Sequence, residues 1–540
     1  MNEEQQYIID DFIRDYVQGI RTDYLLFGVT GSGKTEVYME MIAYVVSQGK
    51  QVIMLIPEIA LTYQTVQRFY RRFGDRISIM NSKMSQGERY DQSVRARNGE
   101  IDIMIGPRSA LFTPFQNLGL IIIDEEHENS YKSETTPKYH AVRVARKRAE
   151  LTGSSVFLGS ATPSTESFLQ AKQGKLKLYH LTKRAKEAEP PVVWIVDLRE
   201  ELKNKNKSIF SEKLKELMID RLNKKEQIML FLNRRGYAGF VSCRSCGHVM
   251  KCPHCDVSLT SHNNGGMVCH YCGYTEKQPG NCPSCGSKYI AAFGTGTQKV
   301  EELVKKEFAG ARVLRMDTDT TKNKGGHEAI LSAFSEHKAD ILVGTQMIVK
   351  GHDFPKVTLV GIIAADLSLY TGDFRAGERT FQLLCQAAGR AGRDVLPGEV
   401  VIQTYHPEHY SIQTAAAGDF EAFYEQEILY RTLMQYPPVA HMLLVLVTSK
   451  EEEKAGKAAT HLSEALKLYM EKEQLQLQLI GPAPAALSKA NDTYRRVMYI
   501  KHDDYEELIR IKNYMEGYFS FSDYFAGCNL QFDFDPMSSY

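Results

Sequence analysis

Residues 28–35 read Gly28-Val29-Thr30-Gly31-Ser32-Gly33-Lys34-Thr35 and indicate the class of the fold. It fits the phosphate-loop pattern GxxxxGK[ST], and it lies between an apolar run, Tyr24–Phe27, and a helix-like stretch that begins near Glu36. Glycines in such a loop allow backbone N–H groups to converge on phosphate oxygens. We therefore predict that this loop binds ATP, with Lys34 on the β- and γ-phosphates and Thr35 on Mg²⁺.

An acidic segment follows a second apolar run, Leu120–Ile123, and reads Asp124-Glu125-Glu126-His127. Carboxylates at the C-terminal end of a parallel strand lie beside the phosphate loop in this kind of sheet. We expect Asp124 to hold Mg²⁺, directly or through water, and Glu125 to orient and deprotonate the attacking water. Alone, the segment is equally compatible with a solvated acidic turn, but its place after a phosphate loop favours catalysis.

Two arginines lie in the segment Gln386-Ala387-Ala388-Gly389-Arg390-Ala391-Gly392-Arg393. On a helix, Arg390 and Arg393 share one face. From a second lobe they could neutralise transition-state charge as arginine fingers. Two arginines on a solvated helix face are the alternative. A small-molecule kinase also carries a phosphate loop, but it would need neither a second lobe nor this segment.

Alternating apolar runs and helix-like stretches predict an α/β fold. They form two sets, from Tyr24 to Leu198 and from Gln227 to Gln403, as buried parallel strands in βαβ units do. We predict two doubly wound parallel-sheet lobes, a cysteine-rich insertion in the second lobe and a C-terminal α/β domain. The predicted bounds are 1–200 for the first lobe, 201–242 and 289–410 for the second, 243–288 for the insertion and 411–540 for the C-terminal domain.

Eight of the ten cysteines form four CxxC pairs, namely Cys243/Cys246, Cys252/Cys255, Cys269/Cys272 and Cys282/Cys285. Each pair can grip one ion, so four pairs predict two closed Cys₄ zinc sites with a structural role. The pairs can combine in three ways, and the gap between Cys255 and Cys269 suits a zinc-ribbon hairpin. Iron–sulfur clusters are an alternative, and disulfides would need an oxidising compartment.

Charge and hydropathy limit the class of protein. Lys plus Arg number 66 and Asp plus Glu number 66, so any nucleic-acid surface must be local. Basic clusters that could contact phosphates, or could be solvated faces, are Arg143/Arg146/Lys147/Arg148 and Tyr494-Arg495-Arg496. The N-terminus has no apolar signal region, and no apolar stretch approaches the length of a membrane span. We expect a cytoplasmic protein with no membrane partner.

The order of the motifs resembles superfamily-2 helicases. Besides the loop, the acidic segment and the arginines, that order contains Pro57-Glu58-Ile59-Ala60-Leu61-Thr62, Ser160-Ala161-Thr162-Pro163 and Gly344-Thr345-Gln346-Met347. Further segments flank the cysteines or precede the arginines: Asn233–Tyr237, Phe293–Gln298, Asp373–Arg375 and Glu378–Leu383. Together they resemble the PriA family of bacterial primosomal replication-restart helicases, over essentially the whole chain.

The resemblance implies two RecA-like lobes and an ATP-dependent DNA helicase that moves 3′→5′. Such a helicase remodels abandoned forks and promotes primosome assembly and replicative helicase loading, in the bacterial cytoplasm at the nucleoid. Implied partners are single-stranded and forked DNA, primosome proteins, single-stranded DNA-binding protein and the helicase loader. The resemblance also implies an adenine-sensing role for Gln5, a coupling role for Ser160–Thr162, and a nested cysteine pairing, inner with inner and outer with outer.

The family also carries an N-terminal DNA-binding portion, whereas this sequence begins almost on the motor motifs. An alternative function follows from that departure: a zinc-ribbon DNA-binding scaffold with impaired unwinding. The presence of Lys34, Glu125 and Arg393 argues against the scaffold.

Overall fold

The computed structural model describes residues 1–538 except 59–60, 62, 83, 185–189, 233–238, 263–264, 293–295, 318, 322–325, 349–353 and 393–395. Elements are numbered in chain order. No helix among the described residues is long and apolar enough to cross a bilayer.

The first lobe is a seven-stranded parallel sheet in the order β3-β4-β2-β5-β6-β1-β7. Its strands are β1 (Asp23–Gly28), β2 (Gln51–Leu55), β3 (Ile77–Ile79), β4 (Ile103–Gly106), β5 (Leu118–Asp124), β6 (Ser155–Ser160) and β7 (Lys177–Leu181). Its helices are α1 (Glu3–Val17), α2 (Lys34–Ser47), α3 (Tyr63–Phe73), α4 (Gln86–Arg97), α5 (Ala141–Thr152) and α6 (Thr165–Lys172). Because β6 separates β1 from β5, the carboxyl ends of these three strands meet at one edge.

The second lobe is a six-stranded parallel sheet in the order β15-β16-β9-β17-β18-β8. Its strands are β8 (Val192–Asp197), β9 (Gln227–Phe231), β15 (Val313–Met316), β16 (Ile341–Gly344), β17 (Val357–Ile362) and β18 (Glu399–Thr404). Its helices are α7 (Leu198–Lys203), α8 (Glu212–Asn223), α9 (Thr297–Glu307), α10 (Gly326–Ser335), α11 (Asp366–Leu369) and α12 (Ala376–Ala388). The two doubly wound lobes predicted from the sequence are confirmed.

One predicted lobe boundary differs from the structure. The first lobe was expected to extend to residue 200, but β8 pairs with β18 from Val192 opposite Glu399 to Asp197 opposite Thr404. The chain therefore crosses between the lobes after β7 and before β8. An apolar run reveals a strand but not the sheet that it joins, because the pairing partner lies some two hundred residues further along the chain.

The cysteine-rich module is inserted between β9 and α9 of the second lobe. Strand β10 (Val241–Cys243) pairs antiparallel with β14 (Ile290–Ala292), so the chain leaves the lobe and returns to it side by side. Strands β11 (Thr260–Ser261), β12 (Gly266–Val268) and β13 (Thr275–Lys277) form a small antiparallel sheet between them. The predicted insertion in the second lobe is confirmed.

The C-terminal domain is a four-stranded antiparallel sheet in the order β20-β21-β19-β22. Its elements are β19 (His441–Ser449), α15 (Glu452–Glu473), β20 (Gln478–Ala490), β21 (Thr493–His502), α16 (Tyr505–Phe521) and β22 (Cys528–Phe534). It is preceded by α13 (Tyr410–Ala417) and α14 (Phe420–Leu433), which pack against α12. The predicted start at 411 thus includes two helices that join this domain to the second lobe.

Strand β19 is apolar on both faces, because both faces of the C-terminal sheet are covered. Leu443, Val445 and Val447 face a core that α15 and α16 complete. Met442 and Leu444 face a second core that includes the buried cysteines of the zinc module. The zinc module and the C-terminal sheet therefore share one hydrophobic core.

Candidate nucleotide site and zinc centres

The phosphate loop follows β1 directly and ends in the first turn of α2. Gly31 and Gly33 have φ angles of 81° and 82°, in the left-handed region that glycine adopts without strain. Lys34 Nζ donates to the carbonyl oxygen of Gly28 at 2.9 Å, which folds the side chain over the loop. Backbone N–H groups at the start of a helix, with a lysine above them, form an anion-binding arrangement that fits nucleotide phosphates.

Asp124 stands at the carboxyl end of β5, opposite Gly159 of β6. Tyr38, on the first turns of α2, donates its hydroxyl to Asp124 Oδ1 at 3.0 Å. Desolvation and the neighbouring Glu125 raise the pKa of Asp124 to about 6, against the opposing charge of Lys34. A divalent cation would favour the ionised form of such a carboxylate, so the donor set fits a Mg²⁺ ion that also contacts the phosphates.

The acidic segment is joined by close polar contacts to the segment Ser160–Thr162. Glu125 Oε2 lies 3.7 Å from His127 Nδ1, and the same ring nitrogen lies 2.7 Å from Ser160 Oγ. Ser160 Oγ in turn accepts from the backbone N–H of Thr162 at 2.9 Å. A shift of the acidic segment would therefore be passed to the end of β6.

The second lobe contacts this site through the arginine segment. Gln386 Nε2 lies 2.9 Å from His127 Nε2 across the cleft. A Cβ atom on Gly389 would lie 3.0 Å from Thr30 Cγ2 in the phosphate loop, so the two lobes approach closely here. Arg390 follows Gly389 immediately, and Arg393 lies outside the described residues. The structure thus brings the start of the arginine segment to the loop, while the catalytic roles of both arginines stay predictions.

Gln5 is buried beside the phosphate loop. Its side-chain amide donates to the carbonyl oxygen of Ser32 at 2.8 Å, and its Oε1 accepts from the backbone N–H of Asn2 at 2.9 Å. The second contact belongs to the capping box of α1, which fixes the glutamine at the start of that helix. This placement suits a residue that senses the nucleotide, and the adenine-sensing role itself stays a prediction.

The eight paired cysteines lie in two groups of four, Cys243/Cys246/Cys282/Cys285 and Cys252/Cys255/Cys269/Cys272. The nested pairing is therefore confirmed. Sulfur–sulfur distances of 3.6 to 3.7 Å join Cys243 to Cys285, Cys246 to Cys282 and Cys252 to Cys272. They are too long for disulfides and close to the edge, about 3.8 Å, of a tetrahedron with Zn–S bonds of about 2.3 Å. The donor sets fit two structural zinc ions.

The basic cluster on α5 is held within the protein. Arg143 pairs with Asp535 and Arg146 with Asp23, at 2.5 and 2.9 Å. Arg148 donates to the carbonyl oxygen of Thr113 at 2.6 Å. These arginines therefore anchor α5 to its surroundings, and a phosphate contact by this cluster stays a prediction.

Several side chains at the site were missed by sequence reasoning. Tyr38 lies four positions after Lys34, one helical turn further along α2, and that spacing could have pointed to it. Glu126 was quoted only as part of the acidic segment, yet it accepts hydrogen bonds from Ser164 and Ser167 at the start of α6. Arg431 lies four positions after Glu427, a spacing that predicts only an ordinary ion pair within a helix, because its other charged and polar partners, Thr165 and Glu378, come from distant parts of the chain.

Four family models match the chain. They are the DEAD/DEAH box helicase model over residues 2–170, the PriA DNA helicase Cys-rich region domain over 252–277, the Helicase conserved C-terminal domain over 286–395 and the Primosomal protein N C-terminal domain over 432–537. Together they cover both lobes, the zinc module and the C-terminal sheet, and they support ATP, Mg²⁺ and zinc as the cofactors.

Curated relatives carry the name replication restart protein PriA. The one from Bacillus subtilis (strain 168) is 49% identical over 497 residues, which cover 92% of this chain and 61% of the relative. The one from Synechocystis is 43% identical, with 95% and 62% covered. The one from Chlamydia pneumoniae is 40% identical, with 100% and 72% covered. The chain thus spans about three fifths of the length of the first two relatives.

A solved structure of RecG bound to a three-way DNA junction aligns with a TM-score of 0.45 and 16% identity, over 81% of this chain and 50% of that one.

Proposed function

The chain belongs to the PriA replication restart protein family, and from this membership we propose that it is an ATP-dependent DNA helicase that moves 3′→5′. It remodels abandoned replication forks and promotes primosome assembly and loading of the replicative helicase. Its partners are single-stranded and forked DNA, primosome proteins, single-stranded DNA-binding protein and the helicase loader, at the bacterial nucleoid. The direction, the fork substrate and the protein partners are carried over from the family resemblance.

One observation supports a motor above the alternatives: the nucleotide site is built from both lobes. The phosphate loop and the acidic segment belong to the first lobe, and Gln386 and Gly389 reach them from the second. A small-molecule kinase would not need the second lobe. A scaffold would not need the series of polar contacts in which Glu125 and Ser160 both lie next to His127.

The proposed catalytic cycle assigns one task to each group. Lys34 and the loop N–H groups hold the phosphates, and Thr35 and Asp124 hold Mg²⁺. Glu125 orients and deprotonates the attacking water. Arg390 and Arg393 neutralise charge as the phosphoryl group transfers, which requires the lobes to be closed. Release of phosphate then relaxes the contacts between His127, Ser160 and Gln386 and allows the lobes to move along DNA.

The function is tested by measuring ATP turnover with and without single-stranded DNA. We expect turnover to rise severalfold on addition of DNA, because the strand would bind across both lobes and favour the closed site. Duplexes with a single-stranded 3′ or 5′ tail then report polarity, and only the 3′-tailed duplex should be unwound. DNA-independent turnover, or preferential unwinding from a 5′ tail, would contradict the proposal.

Lobe closure gives a second prediction, at Gly389. In Gly389→Val, the added side chain meets Thr30 of the phosphate loop, so the lobes cannot approach as they do here. We expect kcat to fall about 10²-fold, as a displacement of about 1 Å in catalytic groups does. Nucleotide binding to the first lobe should persist, as measured with a fluorescent ATP analogue.

A matched control is Gly517→Val, at a helical glycine whose Cβ position has no neighbour within 4 Å. It should leave kcat close to that of the unmodified protein. Equal kcat values for the Gly389 and Gly517 variants would show that the closed approach of the lobes is not needed for turnover.

A further inference from the structure

The start of α6 is held from two sides, by the acidic segment and by the second lobe. Glu126, only 2% exposed, accepts from the backbone N–H and hydroxyl of Ser164 at 2.7 and 3.0 Å. The next backbone N–H, that of Thr165, donates to Glu378 Oε1 on α12 at 2.9 Å. Two adjacent N–H groups of one helix thus bind carboxylates from opposite lobes. Because α6 is rigid, a displacement of the acidic segment changes the second contact as well.

The start of α6, with the carboxylates that bind it, forms a junction between the two lobes. Arg431, on α14, contacts both sides of this junction. Its guanidinium is fully buried and donates to Thr165 Oγ1 at 2.9 Å and to Glu378 Oε2 at 2.6 Å. It also donates to Glu427 Oε1 at 2.7 Å and to the carbonyl oxygen of Pro437 at 2.8 Å. One side chain therefore contacts the first lobe, the second lobe and the chain that leads into the C-terminal sheet.

The junction contains a group of ion pairs between Arg375, Arg431 and the carboxyl groups of Glu166 and Glu378. Burial would raise the pKa of Glu166, but Arg375 and Arg431 outweigh it and lower that pKa to about 2. Arg375 pairs with Glu166 directly. A buried group of charges with these geometries tolerates little displacement, because any separated partner is left charged and without water.

From Arg431 a stack of rings leads to the zinc module. Its guanidinium lies 5.2 Å from the centre of the Phe374 ring. Phe374 stacks on Tyr436 with ring centres 4.5 Å apart and an angle of 4° between the planes. The Tyr436 hydroxyl donates to the carbonyl oxygen of Cys255 at 3.3 Å. Cys255 belongs to the inner group of cysteines, so a series of buried contacts connects the nucleotide site to the inner zinc site.

We propose that Arg431 is a positioning residue that couples the nucleotide site to the inner zinc site, through Phe374 and Tyr436. Thr165 and Glu378 are in contact in the closed arrangement of the lobes seen here. ATP binding favours that arrangement and thereby holds Arg431 and, through the Phe374–Tyr436 stack, the backbone at Cys255. Nucleotide binding thereby stabilises the zinc module. The proposal rests on the proposed function, since it requires that the phosphate loop binds ATP.

Zinc release measures this coupling directly. The zinc-loaded protein is mixed with a chromogenic zinc chelator, with and without a non-hydrolysable ATP analogue and Mg²⁺. The phase that belongs to the inner site is the one that Cys255→Ser removes. In the unmodified protein we expect the nucleotide to slow that phase about fivefold, at the lower end of coupling between distinct sites. The quantity of interest is the ratio of the two rates.

Three variants interrupt the path at different points. Arg431→Lys keeps the charge but replaces the planar guanidinium, which donates four hydrogen bonds here, by an ammonium with only three donors. Phe374→Leu removes the ring stack, and Tyr436→Phe removes only the hydroxyl that contacts Cys255. Each should bring the ratio close to one. If these residues had a purely structural role, their substitution would speed zinc release equally with and without nucleotide, and the ratio of the two rates would stay unchanged. Tyr436→Phe keeps the test decisive if Arg431→Lys does not fold, because it deletes a single oxygen atom.

Matched controls are Tyr514→Phe and Phe308→Leu. Tyr514 donates its hydroxyl to the carbonyl oxygen of Ala465 elsewhere in the C-terminal domain, and Phe308 packs against Phe210 in the second lobe. Both controls should keep the fivefold ratio. A ratio near one in the unmodified protein, or an unchanged ratio in Tyr436→Phe, would overturn the coupling. Failure of a fluorescent ATP analogue to bind the unmodified protein would instead overturn the proposed function.

Discussion

Replacing Glu125 by Gln is expected to lower ATP turnover about 10³-fold, in the range that loss of a general base produces. The carboxylate is 31% exposed, whereas the neighbouring His127 is 3% exposed, so Glu125 reaches solvent and the imidazole does not. Its backbone φ of 48° is unusual for a residue other than glycine. Glu125 directly follows the last residue of β5. Glutamine keeps the size and the hydrogen-bonding capacity but cannot accept a proton.

Glu125→Gln should still bind ATP although it hardly hydrolyses it. Because the phosphate loop and Asp124 are unchanged, a fluorescent ATP analogue should bind Glu125→Gln about as tightly as it binds the unmodified protein. The control is Glu134→Gln, an exposed glutamate in the segment that follows, which should turn over ATP normally. Normal turnover by purified Glu125→Gln would show that another group activates the water.

Removal of zinc is expected to have the second large effect. Apparent binding free energies of structural zinc are about 10–16 kcal/mol in small zinc domains, as large as the whole stability of many domains. In this chain the buried cysteines share a core with Met442, Leu444 and Tyr499 of the C-terminal sheet. Loss of the metal should therefore loosen that sheet as well as the zinc module.

A chelator or Cys255→Ser provides the measurement. Elemental analysis should give two zinc ions per intact chain and one in Cys255→Ser, since the two groups of cysteines are separate. Hydrogen exchange at β19 and β21 should speed up in the variant, while β1 and β5 of the first lobe stay protected. Cys385→Ser, outside both groups, should keep two zinc ions. Iron in the purified protein, or two zinc ions in Cys255→Ser, would contradict the assignment.

A few short segments of sequence were enough to predict which chemical groups form the candidate sites. A few adjacent residues encode each of these features: the phosphate loop, the acidic segment and the CxxC pairs. Glycine at positions 31 and 33 permits the backbone that the loop requires, and β5 places Asp124 at the sheet edge because parallel strands end together. The cysteine spacing predicted two metal sites, and the nested pairing that the resemblance implied agrees with the structure.

Strand pairing, ion pairs and burial that involve remote segments of the chain could be seen only in the folded structure. Periodicity located β8 but not its sheet, because its register with β18 is set by residues about two hundred positions away. The charge of α5 suggested a phosphate-binding face, yet Arg143 is paired with Asp535. The sequence shows Arg431 only as the helical partner of Glu427, whereas packing makes its buried hydrogen bonds join both lobes. Local patterns encode backbone conformation and side-chain type, whereas pairing and burial arise only when remote segments of the chain pack together.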